Sequence, residues 1–323
     1  MIFGLRDSKE KAALWLYPIP WDVTASYGKG TALGPEHILK ASPQLDLYDY
    51  DFGSVYQKGI YWHPISKEIQ RKNQELNVIS QKLMASWENE EDLPSEELKR
   101  VNEGSQWLNE KIFSWTKLAL EQSKKVGFVG GEHSSIYGGL KALVEAYEGD
   151  FGILHIDAHA DLRKAYQGFE HSHASIMRNV LELPLRGPLV SVGVRDFCEE
   201  EEFYIQSHSH KVQVFFDRFL KQGLFEGRSW QSLCEEVVSC LPQQVYISFD
   251  IDGLSPENAP GTGTPVPGGL SFDMAIHLLV TLARSGRRVI GFDLCEVAPS
   301  PHTEWNGNVG ARILYKLCAL SLQ

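Results

Sequence analysis

The chain has 323 residues, 43% of them hydrophobic, and a formal charge of −11, enough for a large core in one or two domains. The acidic balance argues against nucleic acid as main partner, because phosphate binding needs clustered Lys and Arg; it suits a small cationic one. Five cysteines without CxxC spacing give neither a disulfide framework nor a zinc ribbon. No stretch reaches the ~20 apolar residues of a membrane span, and the first residues lack a secretory pattern, so a cytoplasmic protein is expected.

In chain order, the first strand expected is Leu14–Tyr17. The turn-rich SYGKGTALGPEHILKAS follows, with Gly34-Pro35 marking a helix start. Residues 55–110 are polar and helical in period and include the acidic run ENEEDLPSEELKR. They are expected to form a solvated helical insertion within a single domain spanning 1–323. Six more apolar runs predict strands at Val126–Val129, Phe151–Ile156, Leu189–Val194, Val212–Phe216, Val245–Phe249 and Val289–Leu294. Helical patterns fall between them at Ser135–Tyr147, Ser172–Leu183, Ser229–Cys240 and Ser271–Ser285. Continuous apolarity marks strands covered on both faces, and the alternation of strand and helix predicts a parallel α/β sheet.

Ligands of open parallel sheets gather beyond the carboxyl ends of the strands, and there the runs turn polar together. Val126–Val129 leads into GGEHSS with His133, and Phe151–Ile156 leads into Asp157, His159 and Asp161 of HIDAHADLR. Val245–Phe249 leads into Asp250 and Asp252, and Val289–Leu294 into Cys295-Glu296. Asp157, Asp161, Asp250 and Asp252 bring four carboxylates to one crevice with Arg163 as the one nearby cation. Carboxylates gathered out of water need compensation, and two divalent ions would balance four, with His133 and His159 completing the shells. Oxygen and imidazole donors without thiolate suit Mn²⁺ or a similar ion better than structural zinc. Two such ions sharing a water can deliver hydroxide near neutral pH.

GGEHS, HIDAHADLR, SFDIDGLSPENAPGTGTPVPGGLS and GFDLCEVAP resemble, in order and spacing, the signature segments of the ureohydrolase (arginase, agmatinase, formiminoglutamase) family. PIPWDVTASYGKGTALGPEHIL and SVGVRDFCEEE are similar to further segments of it. The resemblance covers about residues 14–320 apart from much of 55–110. It implies a three-layer α/β/α fold with a central eight-stranded parallel sheet and a binuclear Mn²⁺ centre, with Ni²⁺ or another divalent ion as alternatives. By motif position it implies that His133, Asp157, Asp161 and Asp250 hold one ion and His159, Asp157, Asp250 and Asp252 the other. It also implies hydrolysis of a guanidino group to urea and an amine, Glu296 pairing with the guanidinium, Asp161 helping to move a proton and His173 shuttling one. A homo-oligomer, trimer or hexamer, goes with it.

His171 beside His173 is left without a role. His155 reads as a packed or supporting residue, and His208 and His210 as solvated. LRKAYQGFEHSHASIMR after Asp161 looks like the agmatinase type rather than the arginase type, which favours an agmatine-like substrate. Hydrolases of formiminoglutamate, guanidinobutyrate or free guanidine are the alternatives, as is a non-catalytic binding relative. Where the family motif is often GGDHS, this chain has Glu132. A single-zinc deacetylase of related fold is disfavoured by the intact pairs His133/His159 and Asp250/Asp252.

Overall fold

An apolar run makes a stable strand without alternation only if helices cover both faces of its sheet. The computed structural model, which describes residues 1–323, builds such a sheet. Its strands are β1 (Leu14–Ile19), β2 (Ile60–Trp62), β3 (Lys125–Gly130), β4 (Gly152–Ile156), β5 (Leu189–Val192), β6 (Val212–Phe215), β7 (Gln244–Asp250) and β8 (Arg288–Cys295). All eight are parallel, in the order β2-β1-β3-β8-β7-β4-β5-β6.

Successive side chains of each strand enter opposite cores. Leu14 and Leu16 of β1, with Val245, Ile247 and Phe249 of β7, pack toward α1 (Gly34–Ala41), α7 (Asp217–Phe225), α8 (Trp230–Ser239), α9 (Phe272–Arg284) and α10 (Trp305–Ser321). Trp15, Tyr17 and Tyr246 pack toward α2 (Lys67–Glu88), α3 (Ser95–Glu121), α4 (Tyr137–Ala146) and α5 (Ile176–Leu181). The result is the three-layer α/β/α fold. The short helix α6 (Glu199–Ser207) follows β5.

Two expected helices start as single 3₁₀ turns, His133–Ile136 before α4 and His173–Ser175 before α5. Candidate histidines open both turns. Ser229 and Ser271 accept backbone hydrogen bonds as N-caps of α8 and α9. β5 ends two residues earlier than its apolar run because Gly193 turns the chain at φ +98°. β2 was not legible as a strand, since its three residues lie within the polar 55–110 stretch. It pairs through Ile60–Trp62 with Leu14–Leu16 at the sheet edge. The rest of that stretch holds α2 and the start of α3. On α2, Ile69, Asn73, Leu76, Ser80 and Leu83 line the buried face, and Val101 and Leu108 continue the stripe on α3. The acidic run ends α2, makes the turn and opens α3.

Topology aligns the polar strand ends. β7 and β8, late in the chain, insert between β3 and β4. One row of register partners crosses the sheet through Val129, Leu294, Phe249, Ile156 and Val192. Every candidate ligand follows that row by a few residues, so segments more than a hundred positions apart in sequence finish side by side.

Beside β1, His63 is stacked on Tyr17 at 4.2 Å and edge-on to Trp15 and Tyr61. Its Nε2 has no hydrogen-bond partner. Burial pushes its pKa from 6.5 down to about 4, so between those values the unfolded chain binds the extra proton. Stability is intact above about 6.5 and is lost as pH falls toward 4. In urea unfolding at pH 7 and pH 4.5, wild type should lose about 1–2 kcal/mol more than His63→Phe; equal losses would contradict the assignment.

Candidate metal centre

Each strand end delivers its carboxylate by a local device. Asp250 is the last residue of β7, and its Oδ1 accepts the Asp252 N–H at 2.8 Å, closing a tight turn. Asp157 Oδ1 likewise accepts the His159 N–H at 2.6 Å, and Asp252 Oδ1 accepts the Ala158 N–H at 3.0 Å, tying the two turns together. Arg195 secures the long loop after Asp252, donating to the Asp252, Leu254 and Val266 carbonyls at 2.7, 3.2 and 3.0 Å. Asp161 and Glu296 adopt left-handed backbone, φ +56° and +65°, at a cost of about 1–2 kcal/mol each. The Glu296 N–H is pinned by the Gly131 carbonyl at 2.7 Å and the Asp161 carbonyl accepts from Arg178 N–H at 3.1 Å.

The six expected ligands converge. His133 Nδ1 lies 3.1 Å from Asp157 Oδ2, 3.2 Å from Asp161 Oδ2 and 3.5 Å from Asp250 Oδ2. His159 Nδ1 lies 3.1 Å from Asp252 Oδ2 and 3.4 Å from Asp157 Oδ1. Asp157 thus faces both imidazoles through different oxygens. The rears of His133 and His155 are anchored in protein. His133 Nε2 sits 2.8 Å from Ser248 Oγ and 3.6 Å from Asp293 Oδ1. His155, fully buried, places Nε2 2.9 Å from Asp157 and Nδ1 3.1 Å from Ser191 Oγ, a supporting position.

The electrostatics are those of carboxylates in excess. Burial, then Asp252, Asp157 and Glu296, push Asp250 well above the usual carboxylate range. Burial and Asp157 raise Asp161 to about 6. Burial disfavours charge on His133 and His159, yet the carboxylates around them raise the first well above its ordinary value and the second to about 12. Asp157, though buried, is held low by His155, His133 and His159. Protons on imidazole and carboxylic acid thus do the balancing in the protein alone, and these are the protons that cations bound to oxygen and nitrogen donors displace. The donor set fits two divalent ions.

Beside the cluster opens a cleft lined by Ser26, Arg163, Tyr166, His173, Asp196 and Thr264, with Asp161 and His159 at its floor. Glu296 lies in the adjoining space with Ser26, Gly263 and His173, its Oε1 accepting the His133 N–H at 2.8 Å. His173 Nε2 is 3.3 Å from Ser26 Oγ, and burial, then His159, depress its pKa to about 3. His171 lies elsewhere, against Tyr137 at 4.9 Å and Asn179. His208 stacks on Tyr204 and His210 is exposed. Asp22, Thr24 and Ser26 are not among the residues the sequence singles out. The same signal was present for them, since they follow the apolar run of β1 as His133 follows that of β3. Asp293 and Ser248, inside apolar strands, carried no such mark.

A three-layer parallel sheet whose strand ends hold paired carboxylate–imidazole groups defines a metal-dependent hydrolase. The Arginase family model matches residues 12–319, so the chain belongs to the arginase family and is a ureohydrolase acting on linear amidines. It is 30% identical over 308 residues to an N(1)-aminopropylagmatine ureohydrolase of a Synechocystis species, covering 95% of this chain and 88% of that one. It is 29% identical over 313 residues to the agmatinase of Bacillus subtilis, covering 97% and 93%. Among solved structures, the agmatine ureohydrolase of Thermoplasma volcanium superposes with a TM-score of 0.74 at 25% identity, covering 99% of this chain and 95% of that one. A Trypanosoma cruzi formiminoglutamase solved with Mn²⁺ shares the fold at TM-score 0.73 and 16% identity, covering 99% and 96%. No helix is long and apolar enough to cross a membrane.

The glycine pair before His133 has a steric reason. A Cβ on Gly131 would lie 2.0 Å from the Trp21 carbonyl oxygen, the same oxygen that accepts the Glu132 N–H at 2.7 Å. Gly131→Ala should therefore destabilise the protein by about 1–3 kcal/mol and loosen both His133 and Glu296. Thermal unfolding checks it; an unchanged midpoint would contradict this packing.

Proposed function

We propose that this chain hydrolyses an agmatine-type guanidino compound to urea and an amine with two divalent ions, Mn²⁺ favoured. His133, Asp157, Asp161 and Asp250 would hold one ion, and His159, Asp157, Asp250 and Asp252 the other. Asp157 and Asp250 are shared. The observation that carries the substrate class is the charge of the cleft. Its one Arg or Lys, Arg163, lies over the Tyr166 ring at 4.9 Å and 3.8 Å from Glu201. Asp196 stands at the mouth 4.0 Å from His159. A cleft so balanced favours a cationic tail over a carboxylate, hence agmatine over arginine, guanidinobutyrate or formiminoglutamate. The exposed Asp196 also favours a second reading, the longer aminopropylagmatine, through its extra ammonium.

Bound here, two divalent ions would supply Lewis acidity and bring the pKa of a water toward neutrality. Glu296 would pair with the planar guanidinium and fix its carbon over the cluster. Its buried carboxyl, raised by burial and by Glu132, gains more from that cation than an exposed one would. His173 is neutral at ordinary pH and half-buried at the cleft wall, with ring nitrogens near two hydroxyls. It would carry a proton between solvent and the leaving amine. Asp161, lining the same cleft, would help move it. We read the protein as cytoplasmic and, from the family resemblance, as a homo-oligomer, trimer or hexamer.

Metal analysis of purified protein should find about two transition ions per chain. Asp157→Ala or Asp250→Ala should lose metal together with urea release; full metal content in either would refute the shared-ligand assignment. In a substrate panel of agmatine, aminopropylagmatine, arginine, guanidinobutyrate, guanidine and formiminoglutamate, kcat/KM should be at least about tenfold higher for the first two. A preference for any carboxylate-bearing substrate would reverse the reading of the cleft.

A further inference from the structure

We propose that Glu132 is a positioning residue for His173, acting through the hydroxyl of Thr24. The proposal rests on the proton-carrying role given to His173 above and adds how that ring is held.

Glu132 is fully buried and does not join the ligand cluster. Its Oε2 accepts the Thr24 N–H at 2.8 Å, and its Oε1 accepts the Thr24 hydroxyl at 2.8 Å and the Ser134 hydroxyl at 2.7 Å. A hydroxyl has one proton to give. With that proton committed to Glu132, Thr24 Oγ1 can only accept, and what it accepts is the His173 N–H at 3.2 Å. Two residues on, Ser26 Oγ stands 3.3 Å from His173 Nε2. The segment 24–26 therefore grips His173 twice, once at its backbone and once at its ring.

That segment joins no sheet or helix of its own, so its place depends on side-chain bonds. At its start Asp22 is held by Asn73 and Asn77 of α2, and Lys29 donates to the Asp22 carbonyl at 3.0 Å. At its centre Glu132 accepts two hydrogen bonds, from the Thr24 N–H and the Thr24 hydroxyl. Charged acceptors make the stronger bonds, and a carboxylate here fixes the hydroxyl direction. An amide would set its N–H groups either against the Thr24 N–H or against both hydroxyls, so one side of the arrangement is lost.

The test uses Mn²⁺-loaded full-length enzyme on the substrate that turns over best, with metal content measured in each variant. Glu132→Gln and Thr24→Val should each lower kcat about tenfold, with KM within about twofold and two ions retained, and Thr24→Ser should restore the turnover lost in Thr24→Val. In a His173→Ala background, neither Glu132→Gln nor Thr24→Val should lower kcat further, because residues acting through one another are not additive. Independently of activity, hydrogen exchange at the His173 amide should quicken in Thr24→Val. Unchanged turnover in His173→Ala would overturn the shuttle role on which the proposal stands. A normal shuttle effect with full additivity of Glu132→Gln, or with unaltered exchange at His173, would overturn the positioning role alone.

Discussion

The constraint on which this structure depends is the cost of gathering carboxylates away from water. Asp157, Asp161, Asp250, Asp252 and Glu296 are all buried within a few side chains of one another. Such a group is tolerable only with fixed cationic or hydrogen-bonding partners. The surrounding architecture supplies them in layers. Backbone N–H groups of Asp252, His159 and Ala158 point at carboxylate oxygens, and imidazoles face them from two sides. Behind His133 stand Ser248 and Asp293, and behind His155 stands Ser191, so these two rings cannot turn away from the cluster without giving up partners. Orientation of a ligand histidine through its rear nitrogen is what keeps its front nitrogen available.

The demand spreads outward from the cluster. The strands must end level, which the late insertion of β7 and β8 between β3 and β4 accomplishes. Backbone must pass close behind His133, which leaves glycine as the residue at 131. The loop after β1 must stay near the cleft without a sheet to hold it. There the helical pair α2 and α3 becomes relevant to chemistry, because Asn73 and Asn77 reach from α2 to Asp22. One wall of the candidate site is thus supported by a segment whose composition looks solvent-facing.

Much of this was legible because two signals coincide in the sequence, a continuous apolar run and an abrupt polar end. Seven strands carry the apolar run, and the six candidate ligands lie where three of them turn polar. β2 carries neither, being three residues long and set among polar neighbours. Thr24 and Ser26 do follow an apolar run, but hydroxyls lack the chemical distinctness of His and Asp, and only the fold brings them to His173. Glu132 stood out merely as an unusual residue beside a histidine. Its partner Thr24 is over a hundred positions away, so its role belongs to tertiary structure. The 55–110 stretch shows a related difficulty: its buried stripe includes Asn73 and Ser80, which weakens the apolar period that would have placed it in the core.

The two left-handed carboxylate residues show how the site divides its tasks. A glycine at 161 or 296 would relieve backbone strain of about 1–2 kcal/mol, and yet both positions carry acids. Asp161 leaves β4 on a turn that aims its oxygen at His133 while the chain continues toward the cleft wall. Glu296 leaves β8 on a turn that reverses its carboxylate onto the His133 amide. In an ordinary extended conformation each side chain would follow the strand alternation, one residue entering a core layer and the next the opposite one. The left-handed turn removes a residue from that alternation and directs it across the sheet end. The strain therefore lets carboxylates from β4 and β8 meet the same histidine of β3. It persists because hydrogen bonds from Glu296 N–H to Gly131 and from Arg178 N–H to Asp161 lock each turn. The cluster is fixed by rigid strand ends, whereas the cleft beside it is lined by Arg163, Tyr166, Asp196 and Ser26 on loops.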